Sequence, residues 1–238
     1  MPLSRIDKII SSAGLASRSE VKKLVREGRV TADGRTVASA DMKFDDGADI
    51  RLDGVKVSRE KHVYMMMNKP AGYICATEDK RTPTVTDLLG GRDAARGLFS
   101  VGRLDKDSVG MLLLTDDGAL CHRIISPKSR TVKEYFIRVS RPFGADAAAL
   151  FAEGAVLDDG YKCLPAELEP APDGLSAVVR ISEGKYRQVR RMAAAAGTEV
   201  TYLKRVSIGG VRLDPALKEG EYRPLTEEEL SVLKKEHP

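Results

Sequence analysis

Gly102-Arg103-Leu104-Asp105-Lys106-Asp107-Ser108-Val109-Gly110-Met111-Leu112-Leu113-Leu114-Thr115-Asp116-Asp117-Gly118 places a charged loop directly ahead of an apolar run. The run predicts a buried strand. The loop carries Asp105 with Arg103 and Lys106 on either side. A carboxylate at the mouth of a sheet is held rigidly yet stays open to substrate. An Asp in a turn also serves local hydrogen bonding, so this stretch is weighed with the rest of the chain.

Outward from this loop, strand-like segments recur at 135–140, 177–181 and 200–206, after an apolar run His62-Val63-Tyr64-Met65-Met66-Met67 whose methionines read as core filling. Helical spacing is seen at 119–125, 145–153 and 185–196, and Thr226 with Glu229 caps a last helix that ends before His237. Strands and helices do not alternate strictly. The pattern predicts an α+β fold with a mostly antiparallel sheet rather than a doubly wound one.

The N-terminus has a different rhythm. Ile6, Ile9, Ile10 and Ala13 lie at helical spacing with Gly14 as a stop, and Ser17 with Glu20 forms a capping box ahead of Val21, Leu24 and Val25. Asp33-Gly34 and Asp53-Gly54 each sit between short strand-like stretches, the signal for a tight hairpin. The reading is a small αα-plus-hairpin module over 1–58, a polar linker at 59–62, and a larger α+β domain over 63–238.

The 238 residues are 42 % hydrophobic, enough for a packed core, and no apolar run approaches the roughly 20 residues of a membrane span. The start lacks the features of a signal peptide, so the expected address is the cytoplasm, with no membrane partner. Cys75, Cys121 and Cys163 stand alone, and His62, His122 and His237 form no ligand motif, so neither a metal site nor a disulfide framework is expected. Glycine-rich nucleotide loops are absent as well, which predicts no cofactor.

Residues 1–35 hold eight basic side chains against four acidic ones, matching the whole chain's net charge of +4. Lys185, Arg187, Arg190 and Arg191 form a second cluster, with Lys204 and Arg205 shortly after. Two separated basic patches point to a long polyanion such as nucleic acid. On the second helix Lys22, Lys23, Arg26 and Arg29 project away from the apolar stripe.

Arg5-Ile6-Asp7-Lys8, Ser17-Arg18-Ser19-Glu20-Val21 and Gly28-Arg29-Val30-Thr31-Ala32-Asp33-Gly34 resemble the S4-like RNA-binding domain. That resemblance implies an RNA backbone against Arg5, Lys8, Arg18, Lys22, Lys23, Arg26 and Arg29. In the larger domain the 102–118 stretch, Lys133-Glu134-Tyr135 and Glu183-Gly184-Lys185-Tyr186-Arg187-Gln188-Val189-Arg190-Arg191-Met192 together resemble the pseudouridine synthases of the RsuA family, which isomerise uridine in ribosomal RNA. Met67-Asn68-Lys69-Pro70-Ala71-Gly72-Tyr73, Ile208-Gly209-Gly210 and 220–226 support the match.

This resemblance implies that Asp105 is the essential carboxylate, that Arg190 is its ionic partner, and that Tyr135 stacks on the uracil. Leu203 is then an apolar wall of the pocket, and Arg103 supports the displaced strand. Lys185, Arg187 and Arg191 join the RNA contacts, with Arg187 and Arg190 expected on one face of a 185–196 helix. The implied partner is ribosomal RNA, free or in an assembling ribosomal particle, and the protein is expected to be a monomer. Tyr186 and Ser126-Pro127-Lys128 resemble the branch acting on small-subunit 16S RNA. Arg187-Gln188-Val189-Arg190-Arg191-Met192 is shared with the large-subunit branch, so 23S RNA stays an alternative. A non-catalytic RNA-binding assembly factor is the other alternative.

Overall fold

Ser17 Oγ accepts the Glu20 amide at 3.3 Å while the Glu20 carboxylate accepts the Ser17 amide at 2.7 Å, which closes the expected capping box. It starts α2 (Arg18–Arg26), which packs its buried Val21 and Val25 against α1 (Ile6–Ser12). These helices belong to the first of two units in the computed structural model, which describes residues 3–57 and 62–235. The linker expected at 59–62 lies outside the described residues save for His62.

The first unit also holds β1 (Ser4–Arg5), β2 (Val30–Ala32), β3 (Arg35–Thr36), β4 (Lys43–Phe44), β5 (Ile50–Leu52) and β6 (Val55–Lys56). β1 pairs with β4, and the other four form a sheet in the order β3-β2-β5-β6. Both hairpin turns take the predicted residues for a physical reason. Asp33 and Gly34 have φ of 49° and 76°, and Asp53 and Gly54 have 51° and 77°. Two successive left-handed residues match the twist of the strands they join, and Asp-Gly reaches that conformation at low cost.

Thr86–Phe99 groups with this N-terminal unit, although it lies well inside the stretch that reads as the larger domain. Around α3 (Gly91–Ala95), Arg92 donates to the Ala13 carbonyl at 3.2 Å and Arg96 to the Ser12 carbonyl at 2.9 Å. Those carbonyls end α1, where backbone acceptors lack helical partners and the helix dipole favours cations. The N-terminal unit is therefore completed by residues that no local pattern assigns to it.

The second unit, Tyr64–Val85 with Ser100–Pro238, is built on one large sheet. Its strands are β7 (Tyr64–Lys69), β8 (Phe99–Val101), β9 (Val109–Thr115), β10 (Lys133–Val139), β11 (Glu167–Pro170), β12 (Ser176–Ile181), β13 (Val200–Ile208), β14 (Val211–Arg212) and β15 (Tyr222–Pro224). The order is β11-β12-β10-β13-β9-β7-β15, with β14 on β13 and β8 on β9. All neighbours along that path are antiparallel except β13 and β9, which run parallel. The fold is α+β and mostly antiparallel. Helices α4 (Gly118–Ile125), α5 (Ala147–Glu153), α6 (Gln188–Ala195) and α7 (Glu227–Lys234) complete it.

Every residue of β9 is buried, as its unbroken apolar run requires. Met65, Met66 and Met67 on β7 are buried beside it. Where β9 meets β13, Gly110 has φ of 101°, and a Cβ there would stand 2.3 Å from the Arg205 carbonyl oxygen. Only glycine allows the two backbones to come this close. The contact sets the Gly102–Ser108 loop beside β13 and β10.

Candidate active site

The loop ahead of β9 is anchored from several sides. Leu104 is buried in the main core, and its amide donates to Cys75 Sγ at 3.3 Å. The Lys106 carbonyl accepts the Gly72 amide at 2.8 Å, and the Ser108 carbonyl accepts Lys69 Nζ at 2.8 Å. Lys69 is completely buried and also donates to the Pro70 carbonyl at 2.9 Å. Burial pulls its ammonium below the usual lysine range, and Cys75, Asp107 and Asp105 offset part of that fall.

Ser108 N–H closes a turn onto the Asp105 carbonyl at 3.1 Å. Beyond this turn the two acids diverge in role. Asp105 is half-buried and lines a cleft of about 1330 Å³, and among the described residues its carboxylate makes no ion pair or hydrogen bond. Asp107 takes the arginines. Its Oδ2 lies 3.1 Å from Arg190 Nη2 and 3.3 Å from Arg187 Nη2.

The ion pair expected between Arg190 and Asp105 is thus made by Asp107 instead. Arg190 is further tied by Nη1 to the Val200 carbonyl at 2.8 Å, which leaves its guanidinium little freedom. The helix expected from Lys185 begins only at Gln188, because Arg187 adopts a left-handed conformation with φ of 48°. Arg187 and Arg190 consequently do not share a helix face; they converge on one carboxylate from the loop and the helix.

Tyr135 on β10 is buried and lines the same cleft, as do Leu203 on β13 and the exposed Arg103. Lys185 and Arg187 also face it. Lys185 Nζ sits 4.4 Å from the Tyr161 ring centroid. Glu183 is buried and fully engaged, accepting from Tyr161 Oη, Leu164 N–H and Gln188 Nε2, each at 2.8 Å. Together these groups form a concave site with one unpartnered carboxylate, a tyrosine ring, an apolar wall and a cationic rim. That combination suits an RNA nucleotide whose base is taken in and whose sugar meets the acid.

A family model for RNA pseudouridylate synthase matches residues 63–195, and one for the S4 domain matches residues 4–50. The chain belongs to the RNA pseudouridylate synthase family. The uncharacterized RNA pseudouridine synthase YtzG of Bacillus subtilis is 44 % identical over 233 residues, covering 96 % of this chain and 98 % of that protein. Ribosomal small subunit pseudouridine synthase A of Escherichia coli is 41 % identical over 229 residues, covering 95 % and 98 %. A crystal structure of a pseudouridylate synthase superposes with a TM-score of 0.69 at 39 % identity, covering 96 % of this chain and 99 % of that one.

In this synthase the cations of the N-terminal unit named above fall into two groups. Arg5 pairs with Asp7 at 2.8 Å, Lys23 with Glu27 at 3.8 Å, and Arg29 with Asp53 at 2.7 Å. Lys8, Arg18 and Lys22 are exposed and make no ion pair among the described residues, and Arg26 donates only to the Lys22 carbonyl. Arg191 is bound to Asp158 and lies 2.7 Å from Asp159.

Sequence reasoning passed over Lys69, Asp107, Lys133 and Arg205 as parts of the synthase's site. Lys69 stood within the quoted 67–73 motif and Lys133 within Lys133-Glu134-Tyr135, so the motifs held the signal. Arg205, which the sequence places next to the second basic cluster, is only 4 % exposed, with Nε on the Met111 carbonyl at 2.8 Å.

Proposed function

We propose that this synthase isomerises a specific uridine of small-subunit 16S ribosomal RNA, with Asp105 as the essential carboxylate. The observation that carries the reading is the unpartnered Asp105 carboxylate in a cleft shared with Tyr135 and Leu203. The name of the 41 % identical Escherichia coli relative supports the small-subunit target. Among the described residues no helix is long and apolar enough to cross a membrane, which suits an enzyme working in the cytoplasm on RNA or an assembling ribosomal particle.

The reaction breaks the bond between the sugar's anomeric carbon and the base nitrogen, turns the base, and joins the same carbon to carbon 5 of the uracil. The target lies stacked within RNA, so it must be flipped out before Asp105 can reach it. The Tyr135 ring then stacks on the base, an interaction of about 1 to 3 kcal/mol, and Leu203 closes the apolar side. Arg190, held by Asp107 and the Val200 carbonyl, positions the loop that carries Asp105. Arg103, Lys185 and Arg187 meet the phosphates around the flipped nucleotide, and the module over 1–58 holds neighbouring RNA through Lys8, Arg18, Lys22 and Arg26. Phosphate contacts of this kind position an enzyme without reading much sequence.

Mapping pseudouridine in 16S and 23S ribosomal RNA from cells lacking the protein, complemented with wild type or Asp105→Asn, tests the proposal. Loss of one 16S site, restored by wild type alone, is the expected result. A missing 23S site would overturn the target, and restoration by Asp105→Asn would overturn the role of the acid.

A further inference from the structure

Lys133 and Arg205 bring two positive charges into the cleft, and among the described residues neither makes an ion pair. Lys133 opens β10, and Tyr135 follows two residues later on the same face, since side chains alternate along a strand. Tyr135 is in turn the cross-strand partner of Arg205 on β13. All three line the cleft that holds Asp105.

Neither cation is fully satisfied. Lys133 is half-buried and makes no hydrogen bond or ion pair among the described residues. Arg205 spends Nε on the Met111 carbonyl and Nη1 on the Arg103 carbonyl, while Nη2 is buried with no hydrogen-bond partner among the described residues. The acid nearest in electrostatic effect, Glu183, already accepts three hydrogen bonds from other groups. Burial, with repulsion from Arg205 added, pulls the Lys133 ammonium down to about 8. A fold that leaves two desolvated cations side by side is costly unless a ligand supplies the missing negative charge.

The base is the group that fits. Exposed Arg103, Lys106 and Lys185 line the same cleft and are available to phosphates. Lys133 and Arg205 lie deeper, next to the ring on which the uracil is proposed to stack. When the anomeric carbon–nitrogen bond breaks, its electron pair stays with the uracil, and the charge spreads from the nitrogen to the two carbonyl oxygens. When the new bond forms, carbon 5 supplies the electron pair to the anomeric carbon and then releases its proton. The base is therefore anionic only between the two steps.

We infer that Lys133, backed by the buried Arg205, donates to a carbonyl oxygen of the flipped uracil and stabilises the negative charge it carries while detached from the sugar. This makes Lys133 a catalytic residue of the reaction proposed above, on which the inference rests. A positive donor placed in advance where charge develops accelerates the step that creates the charge.

The test varies the leaving base. Single-turnover loss of the target nucleoside is followed by mass spectrometry on RNA carrying uridine or 5-fluorouridine, with full-length wild type, Lys133→Met, Lys133→Arg and Asp105→Asn. Fluorine makes the detached base a weaker base, so it needs less help. Lys133→Met is expected to lose about 10²-fold on uridine RNA and clearly less on 5-fluorouridine RNA, with RNA affinity near wild type and Lys133→Arg keeping most of the rate. An equal loss on both RNAs, or weaker RNA binding with an unchanged rate, would overturn the inference; the latter would make Lys133 a phosphate contact. Should Lys133→Met fail to fold, the inference stands or falls on the same comparison with Lys133→Gln. Activity surviving in Asp105→Asn would instead undo the underlying reading and leaves a distinct signature.

Discussion

Arg190 Nη2 lies 3.1 Å from Asp107 Oδ2, and Asp105, two residues earlier in the same loop, keeps its carboxylate unpaired among the described residues. The arrangement separates holding the loop from the chemistry proposed for Asp105. Asp107→Asn should leave Asp105 present but looser, because Arg187 and Arg190 lose the negative charge they share. We expect kcat to fall about tenfold with RNA affinity little changed, whereas Asp105→Asn should lose about 10³-fold or more while still binding RNA. Single-turnover rates alongside filter binding would check both, and equal losses for the two variants would show that Asp107 is not a positioning residue.

Lys69 has a structural duty that its charge alone does not reveal. It is buried with its ammonium on the Ser108 and Pro70 carbonyls. Lys69→Met keeps the volume and strands both acceptors, at about 1 to 3 kcal/mol for each unsatisfied group. Urea denaturation of the variant should show a lower midpoint at unchanged m, and an unaltered midpoint would mean that water replaces the ammonium.

The N-terminal cations should not contribute equally to RNA binding. Lys22 and Arg26 are exposed and have no anionic partner among the described residues, whereas Arg29 is held by Asp53 at 2.7 Å and Glu27 at 3.4 Å. Each free cation that meets a phosphate releases a counterion, so Lys22→Ala and Arg26→Ala should each lower the salt slope of binding by about 0.7 on single-stranded RNA. Arg29→Ala should leave the slope nearly unchanged. Titrations across a KCl series would show the difference.

Lys133 predicts an alkaline limit to activity. Its ammonium sits at about 8, lowered by burial and by Arg205 and partly restored by Glu183. In the role inferred for Lys133 the charged form is the active one, so the rate of the chemical step should hold below pH 8 and fall as pH rises through it. Lys133→Arg should carry activity to higher pH, since guanidinium stays protonated.

The same shift has a consequence for stability with a definite sign. Lys133 binds its proton less tightly in the fold than in the unfolded chain, so its charge destabilises the fold below pH 8. That cost fades as pH rises from about 8 toward the unfolded lysine value of 10.5. Lys133→Met should therefore raise stability at pH 7, by about 1 kcal/mol after allowance for solvent screening. Thermal unfolding at pH 7 and pH 10 should show the gain at the lower pH and little of it at the higher one.

Much of this protein could be read from neighbouring residues alone. Ser17 and Glu20 cap α2, Thr226 and Glu229 cap α7, Asp33-Gly34 and Asp53-Gly54 turn the hairpins, and the apolar 109–115 run forms β9. Each of these signals is written within a few consecutive positions, because capping, tight turns and strand burial are satisfied locally. The ordered motifs around Asp105, Tyr135 and Arg190 identified the family in the same way.

Partners and burial followed a different logic. Across the Asp105–Ser108 turn Asp107 meets Arg190 while the Asp105 carboxylate stays unpaired among the described residues, and Arg187 left the helix by taking φ of 48°. Arg92 and Arg96 cap α1 from more than 75 residues away in sequence. Lys69, Lys133 and Arg205 carry charges that no local pattern marks for burial, yet they are buried or half-buried in the structure. Sequence by itself determined the local elements and the chemistry present, since these depend on residue type and short spacing. Only the tertiary structure decided which charges lost their water and which groups they faced, because desolvation and pairing arise from strands and loops that meet across long stretches of chain.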